Sequence, residues 1–248
     1  MRNILLIIEY DGTHFCGWQI QPQVRTVQGE IEKVLYRFTG KKIALNGAGR
    51  TDARVHAQGQ AANFYLESSI PVERIPLALN PMLPEDISVK GALEKPMAFH
   101  ARFDALGKRY AYQIYRGTTR NALLRNYSYH VTAKLDLRAM EKAAGVLVGT
   151  HDFKGFMAAG SPVKDTIRTL YTIEITEVGE CLWLTFEGNG FLYNMVRILV
   201  GTLLEVGKGK MALDQVRSAL TEEKSRVLAG PTVPPQGLFM KEVFYSNP

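Results

Sequence analysis

Thr169-Leu170-Tyr171-Thr172-Ile173-Glu174-Ile175 and Leu182-Trp183-Leu184-Thr185-Phe186-Glu187, separated by a turn at Val178-Gly179-Glu180, decide the class of fold. Both runs are rich in β-branched and aromatic residues, and the link is short enough for an antiparallel hairpin. Parallel strands would need a crossover of a dozen residues or more. Working outward, Arg109–Tyr115 alternates in the manner of a strand, and the apolar residues of Leu137–Val148 fall at helical spacing. Downstream, Phe191–Leu204 predicts a long helix, Leu213–Leu220 a short one and Leu238–Tyr245 a closing strand. The first hundred residues repeat the layout without repeating the letters. Ile4–Ile8 predicts a strand, and Thr26 can cap a helix burying Val27, Ile31, Val34, Leu35 and Phe38. A short strand around Ile43–Leu45, a Gly-rich turn and a strand through Ala61–Leu66 follow, then a helix over Val72–Leu79 and a strand over Ile87–Leu93. Helices and hairpin-compatible strands in both halves make an α+β protein. The boundary falls near Ala105-Leu106-Gly107, giving halves 1–105 and 106–248.

A chain of 248 residues, 46% hydrophobic and 22% charged, can bury a sizeable core, which excludes a disordered or low-complexity scaffold. The apolar run Ile4–Ile8, closed by Glu9, is far short of the ~20 residues of a membrane span and of the about 7–15 of a signal peptide's apolar region. Cys16 and Cys181 form no C-x-x-C pair. These features fit a reduced, cytoplasmic protein and exclude a thiolate metal cage.

The net charge of +6 is unevenly placed. From Phe99 to Lys134, seven basic residues (Arg102, Lys108, Arg109, Arg116, Arg120, Arg125, Lys134) face one acid, Asp104, so this segment holds the whole excess. Phe99, Phe103, Tyr110, Tyr112, Tyr115, Tyr127 and Tyr129 are interleaved with them. Cations neutralise phosphates and aromatic faces stack on unpaired bases, which suits RNA or single-stranded nucleic acid. A solvated basic face beside a tyrosine-rich sheet has the same composition.

The densest polar cluster is Gly49-Arg50-Thr51-Asp52-Ala53-Arg54-Val55-His56-Ala57. A dinucleotide fingerprint fails here, because Asp52 occupies the position that needs a third small residue. Two readings stay open: Asp52 accepts turn amides as a structural residue, or it is an ionised carboxylate nucleophile on a tight loop beside guanidiniums. Arg197 is the only formal charge between Phe191 and Leu204. It either snorkels at the rim of its helix or is buried and needs a carboxylate partner.

These residues fall into a series. Tyr10-Asp11-Gly12, Phe15, Gly17-Trp18-Gln19, Thr26-Val27-Gln28, Gly49-Arg50-Thr51-Asp52, Val55-His56-Ala57, Phe103-Asp104-Ala105, Lys108-Arg109-Tyr110-Ala111-Tyr112, Gly149-Thr150-His151-Asp152-Phe153, Phe191-Leu192-Tyr193-Asn194-Met195-Val196-Arg197 and Gly237-Leu238 occur in order. In this the chain resembles the tRNA pseudouridine synthase A family nearly end to end. The resemblance implies that Asp52 is the catalytic aspartate, Arg197 its ion-pair partner and Tyr110 the aromatic lying against the target base. It further implies that Arg50 helps extrude the uridine, that Leu238 lines the pocket, and that Lys108 and Arg109 contact the substrate. The implied fold has two α/β halves with ferredoxin-like antiparallel sheets, joined into one extended sheet around a basic cleft. The implied activity is isomerisation of uridines at positions 38–40 of the tRNA anticodon stem-loop by a homodimer with no cofactor and no metal. One departure stands out. The family usually has glycine where this chain has Arg54, so a backbone angle open only to glycine is not expected there. The added cation either lowers the Asp52 pKa or contacts phosphate.

The sequence agrees with chemistry of that kind. Breaking a C–N glycosidic bond and remaking it as C–C involves no net redox, and the chain has no P-loop and no H-E-x-x-H. His14, His56, His100, His130 and His151 show no ligand spacing. Two other classes compete: a non-catalytic RNA-binding or RNA-folding module, for which Asp52 would be dispensable, and an N-glycosidase, for which the Gly49–Ala57 cluster lacks a second acid. A zinc nucleobase deaminase is excluded by the missing P-C-x-x-C segment.

Overall fold

The computed structural model describes residues 1–161, 163–221 and 226–245. The chain divides into two compact units. The first comprises Met1–Leu106 together with the chain from Phe239 onward, and the second is Gly107–Leu238.

The first unit contains β1 (Arg2–Tyr10), α1 (Val27–Thr39), β2 (Asn46–Gly47), β3 (His56–Leu66), α2 (Ile75–Leu79) and β4 (Ile87–Lys95). In the second lie β5 (Gly107–Tyr115), β6 (Tyr129–His130), α3 (Leu137–Leu147), β7 (Gly149–Asp152), β8 (Ile167–Val178), β9 (Cys181–Gly188), α4 (Met195–Gly207) and α5 (Leu213–Thr221). The last strand, β10 (Leu238–Phe244), carries the chain back into the first unit.

Antiparallel pairing dominates, as the hairpin reading requires. In the first unit β1 lies between β4 and β3, with Ile4 opposite Glu94 on one side and Phe64 on the other. β10 adds to β3 in parallel, Phe239 beside His56 and Met240 beside Ala57. This puts the closing strand with the first unit, whereas a division by sequence order leaves it with residues 106–248. In the second unit β9 lies between β5 and β8, with Tyr110 opposite Phe186 and Val178 opposite Cys181, and β7 pairs with β8.

The core of the first unit is built on Ile4, Leu5, Leu6 and Ile8 of β1 with Val27, Ile31, Val34 and Leu35 of α1, all buried. Thr26 caps α1 by accepting the Gly29 amide. In the second unit Met140, Ala144 and Leu147 of α3 and Leu199, Val200 and Leu203 of α4 are buried alike. Among the described residues, no helix is long and apolar enough to cross a membrane.

The strands β6 and β7 are not in the pattern expected of the sequence, β3 begins at His56 rather than Ala61, and three further elements differ for a local reason. Ile43–Leu45 forms no strand, because the Leu45 amide and carbonyl are taken by Glu32 and Gln28 of α1; pairing starts only at Asn46. The helix expected over Val72–Leu79 is split into a 3-10 turn, Val72–Arg74, and α2, which places Pro76 in the first turn. A continuous helix would set that ring against a carbonyl four residues back. The helix expected from Phe191 begins at Met195, behind Asn194 at φ 58°, and runs on to Gly207. Left-handed backbone cannot continue a right-handed helix, and Asn tolerates it better than most residues.

Candidate functional site

Each unit contributes part of the predicted set. In the first, residues 48–55 form a loop whose first residues are bound to β3. Ala48 donates to the Ala61 carbonyl, and buried Gln60 donates through Nε2 to the Gly49 carbonyl (2.8 and 2.9 Å). Thr51 is buried and shares a 2.7 Å hydrogen bond with the Tyr10 hydroxyl. The phenol of Tyr10 is pushed well above its ordinary pKa by burial, so it stays neutral.

Asp52, half-buried, opens a turn closed by Val55 donating to the Asp52 carbonyl at 3.2 Å. Arg54 is the third residue of that turn, at φ 66°. A turn of this kind needs positive φ at its third position, which is why glycine or asparagine is favoured there. The expectation drawn from the arginine is therefore overturned: the position does take the left-handed conformation, and this chain holds it with a side chain that strains it.

A strap from Tyr10 to Gln28 cradles the turn. Arg54 donates its amide to the Phe15 carbonyl (3.2 Å) and Trp18 donates to the Thr51 carbonyl (3.1 Å). The approach is so close that a Cβ on Gly12 would sit 2.0 Å from the Val55 carbonyl oxygen, and one on Gly17 2.6 Å from that of Thr51. Gly17 also has φ 89°. The strap is tied to α1 by Val27 donating to Gly17 and Gln28 to Trp18, and to the residue preceding β4 by Arg25, whose guanidinium lies over the Phe15 ring and forms two hydrogen bonds with Asp86 (2.6 and 2.8 Å). His56 is buried, takes the Gly12 amide on Nδ1 and stacks on Phe239. The same Nδ1 lies 3.0 Å from Asp11 Oδ1. Arg50 and Arg54 are exposed.

In the second unit Tyr110 is 7% exposed on β5, its ring edge-on to Phe191 at 5.1 Å between centroids. Lys108 and Arg109 precede it, half-buried. Arg109 Nε donates to Glu187 Oε1 (2.5 Å) directly across the β5–β9 pair, and Arg116 pairs with Glu177 of β8. The positive excess of the Phe99–Lys134 segment is thus partly neutralised by acids from neighbouring strands, which a count along the chain does not register. Arg120 and Lys134 are exposed.

Arg197 neither snorkels freely nor sits unpaired. It is half-buried on α4, Nε donating to the Val233 carbonyl and Nη1 to Asn194 Oδ1, each at 2.7 Å. The segment that holds it lies flat on α4 because two glycines let it: a Cβ on Gly201 would meet the Pro231 carbonyl oxygen at 1.8 Å, and one on Gly230 the Thr202 amide nitrogen at 2.4 Å. Thr202, fully buried, accepts the Gly230 amide at 2.8 Å while donating to the Ile198 carbonyl. One residue on, the Pro234 carbonyl accepts the Tyr112 hydroxyl (2.7 Å). Burial drives the Tyr112 pKa upward, opposed by the nearby charge of Arg197. Leu238 is buried.

Residue patterning did not reveal the strap's role or the seat of Arg197. The signal was present in the spacing of Gly12, Gly17, Gly201 and Gly230, but a glycine marks close approach without naming what approaches.

The sequence pattern of a family described as tRNA pseudouridine synthase matches residues 6–104 and 143–246. Proteins named tRNA pseudouridine synthase A are similar over essentially the whole chain. That of Caldicellulosiruptor bescii is 49% identical over 245 residues, covering 99% of this chain and all of that protein. The Acetivibrio thermocellus protein matches equally, and the Anoxybacillus flavithermus protein is 47% identical over 248 residues with both chains covered completely. A solved structure of a Cbf5–Nop10–Gar1 complex aligns at a TM-score of 0.35 and 14% identity, over 81% of this chain and 54% of that one, a likeness too slight to bear on the site. With the motif series in register and the family pattern matched on both sides of the second unit's first strands, the chain belongs to the tRNA pseudouridine synthase family.

Proposed function

We propose that the protein isomerises uridine to pseudouridine in the anticodon stem-loop of tRNA, at positions 38–40, as a cytoplasmic homodimer without a cofactor, and that Asp52 is the catalytic carboxylate. The enzyme class follows from the family: it is an isomerase acting on tRNA. The observation that carries the assignment of Asp52 is the investment of structure in its turn. A carboxylate that served only to accept turn amides would not need a glycine-lined strap, a buried Tyr10–Thr51 pair and a stacked Arg25 to hold the turn on both sides. Rigid seating of one side chain is what a reaction with a single demanding group requires.

Each residue has a task in that reaction. The base leaves its stack at a cost of a few kcal/mol, offset by Arg50 and by contacts from Lys108, Arg109 and their neighbours. Tyr110 lies against the extruded base and Leu238 lines the pocket. Arg197 is oriented by Val233 and Asn194 and has, in this proposal, the role of counter-charge to the catalytic carboxylate. The carboxylate then either adds to the base or traps the sugar carbon while the C–N bond breaks. The base reattaches through C5 as any bond to the carboxylate breaks; the hydrogen carried at C5 departs as a proton and N1 takes one up, so composition is unchanged.

That departure is the test. On tRNA with tritium at uridine C5, the protein should release label from the anticodon arm, while Asp52→Asn should release none and still bind tRNA within a fewfold of wild type. Release at the wild-type rate by Asp52→Asn would refute the assignment, and free uracil as product would favour an N-glycosidase.

A further inference from the structure

The Asp52 turn carries one side chain that the fold does not use. Arg54 stands at φ 66° in the third position of the turn, where a Cβ is strained and glycine would be relaxed. What the fold takes from this residue is its backbone: the amide donates to Phe15 and the turn closes around it through Val55. Its side chain is exposed and, among the described residues, makes no hydrogen bond, ion pair or ring contact. Arginines elsewhere in the chain show what a side chain used by the fold looks like. Arg2 is paired with Glu94, Arg25 with Asp86, Arg109 with Glu187 and Arg116 with Glu177. The turn and the strap hold the backbone in that strained state, but they would hold a glycine there as well, so the presence of an arginine side chain is not accounted for by the fold.

We infer that Arg54 is a substrate-binding residue that contacts an RNA backbone phosphate flanking the target nucleotide. The inference rests on the reading of Asp52 as the catalytic carboxylate. A guanidinium two residues from that carboxylate is within side-chain reach of the phosphodiesters on either side of a nucleotide delivered to it. Phosphate is the anion that an extruded nucleotide brings along on both sides, and the planar guanidinium matches it with two parallel donors. The strain is thus exchanged for a contact that exists only in the complex, which separates the two effects of removing the side chain: folding gains and binding loses.

Three variants test this: Arg54→Gly, which removes both strain and charge; Arg54→Ala, which removes only the charge; and Arg54→Lys, which keeps the charge. Stability is measured by urea unfolding, and affinity for an unmodified tRNA transcript at several salt concentrations between 50 and 200 mM. Arg54→Gly should be more stable than wild type yet bind more weakly, with a log–log salt slope flatter by about one unit. Across that salt range the wild-type advantage over Arg54→Gly should shrink about threefold, as expected for one phosphate contact. Arg54→Ala should bind like Arg54→Gly without its gain in stability, and Arg54→Lys should recover the slope. Wild-type affinity and slope in Arg54→Gly, or a weakened Arg54→Lys with the slope of Arg54→Gly, would overturn the inference. So would unchanged binding combined with a shifted pH profile of isomerisation, which would make Arg54 a modulator of Asp52 instead. A wild-type protein that releases tritium while the Arg54 variants bind normally defeats only this inference; a wild-type protein that releases none defeats the reading of the function with it.

Discussion

Replacing Thr202 by valine removes a hydroxyl that accepts from Gly230 and donates to Ile198, and the first of these bonds is the one on which the seat of Arg197 depends. The two side chains have nearly the same shape, so no cavity opens, and the Ile198 carbonyl keeps its helical partner. What is lost is the acceptor for the Gly230 amide, held at 2.8 Å in a site with no solvent access. Leaving a buried donor unpaired costs about 1–3 kcal/mol. A methyl in place of the hydroxyl returns at most about 0.8 kcal/mol by burial. The net loss is therefore on the order of 1–2 kcal/mol, which for a chain of this length lowers Tm by about 2–8 °C. The consequence for the reaction runs through three residues: Gly230 loosens, the Pro231–Val233 segment lifts from α4, and the carbonyl that fixes Arg197 Nε moves. Turnover should fall more than tRNA affinity. Hydrogen exchange gives the sharpest readout, because the Gly230 amide should lose its protection in Thr202→Val and keep it in Thr202→Ser, which retains the acceptor. A valine variant with wild-type stability, protected Gly230 and undiminished turnover would refute the chain of reasoning at its first step.

The other perturbations address separate parts of the molecule. Gly12→Ala forces a methyl against the Val55 carbonyl at 2.0 Å; overpacking of this kind costs about 1–3 kcal/mol, and the displaced Asp52 turn should cut single-turnover isomerisation by more than tenfold, with unchanged rates counting against the strap's role. Burial raises the pKa of Tyr10, Tyr112 and Tyr245 above the value of about 10 they take in the unfolded chain. Their contribution to stability is therefore complete below pH of about 10 and is lost above it, at about 1.4 kcal/mol per pH unit for each. In an alkaline titration followed by phenolate absorbance, these three should ionise only as the chain unfolds. Tyr110→Phe keeps the ring beside Phe191 and removes the hydroxyl, so it should bind tRNA well and turn over slowly, whereas Tyr110→Leu should weaken both; a phenylalanine variant as fast as wild type would reduce Tyr110 to a stacking surface.

What the sequence made legible was whatever local forces decide. Thr26 caps α1 through a residue three positions away, and the β8–β9 hairpin turns where Val178-Gly179-Glu180 says it should. Features set by distant partners were not legible. Asn46 begins β2 because Gln28 and Glu32 occupy the backbone just before it, and Arg109 is neutralised by Glu187, seventy-eight residues on, which only the β5–β9 register brings opposite. Arg54 is the instructive case. An arginine ordinarily argues for ordinary backbone angles, and here the geometry of the turn prevails over the preference of the residue. Asp52 itself could not be assigned from physics alone, since a turn-capping carboxylate and a catalytic one have the same letters around them; the motif series separated the two.

The parallel pairing of Phe239 and Met240 with His56 and Ala57 has a consequence for how the protein is made. On a ribosome, the strand that follows the Asp52 turn emerges well before its β10 neighbour, which is translated only after the second unit. Until then β3 must wait with an unpaired edge beside the turn, through the synthesis of the whole second unit. Closing so long a loop is slow, because its entropy is lost before the contacts that reward it are made. The part of the molecule nearest the proposed chemistry is thus finished only after the second unit has been made, and a nascent chain interrupted before β10 would hold the Asp52 sequence without the completed sheet that supports it.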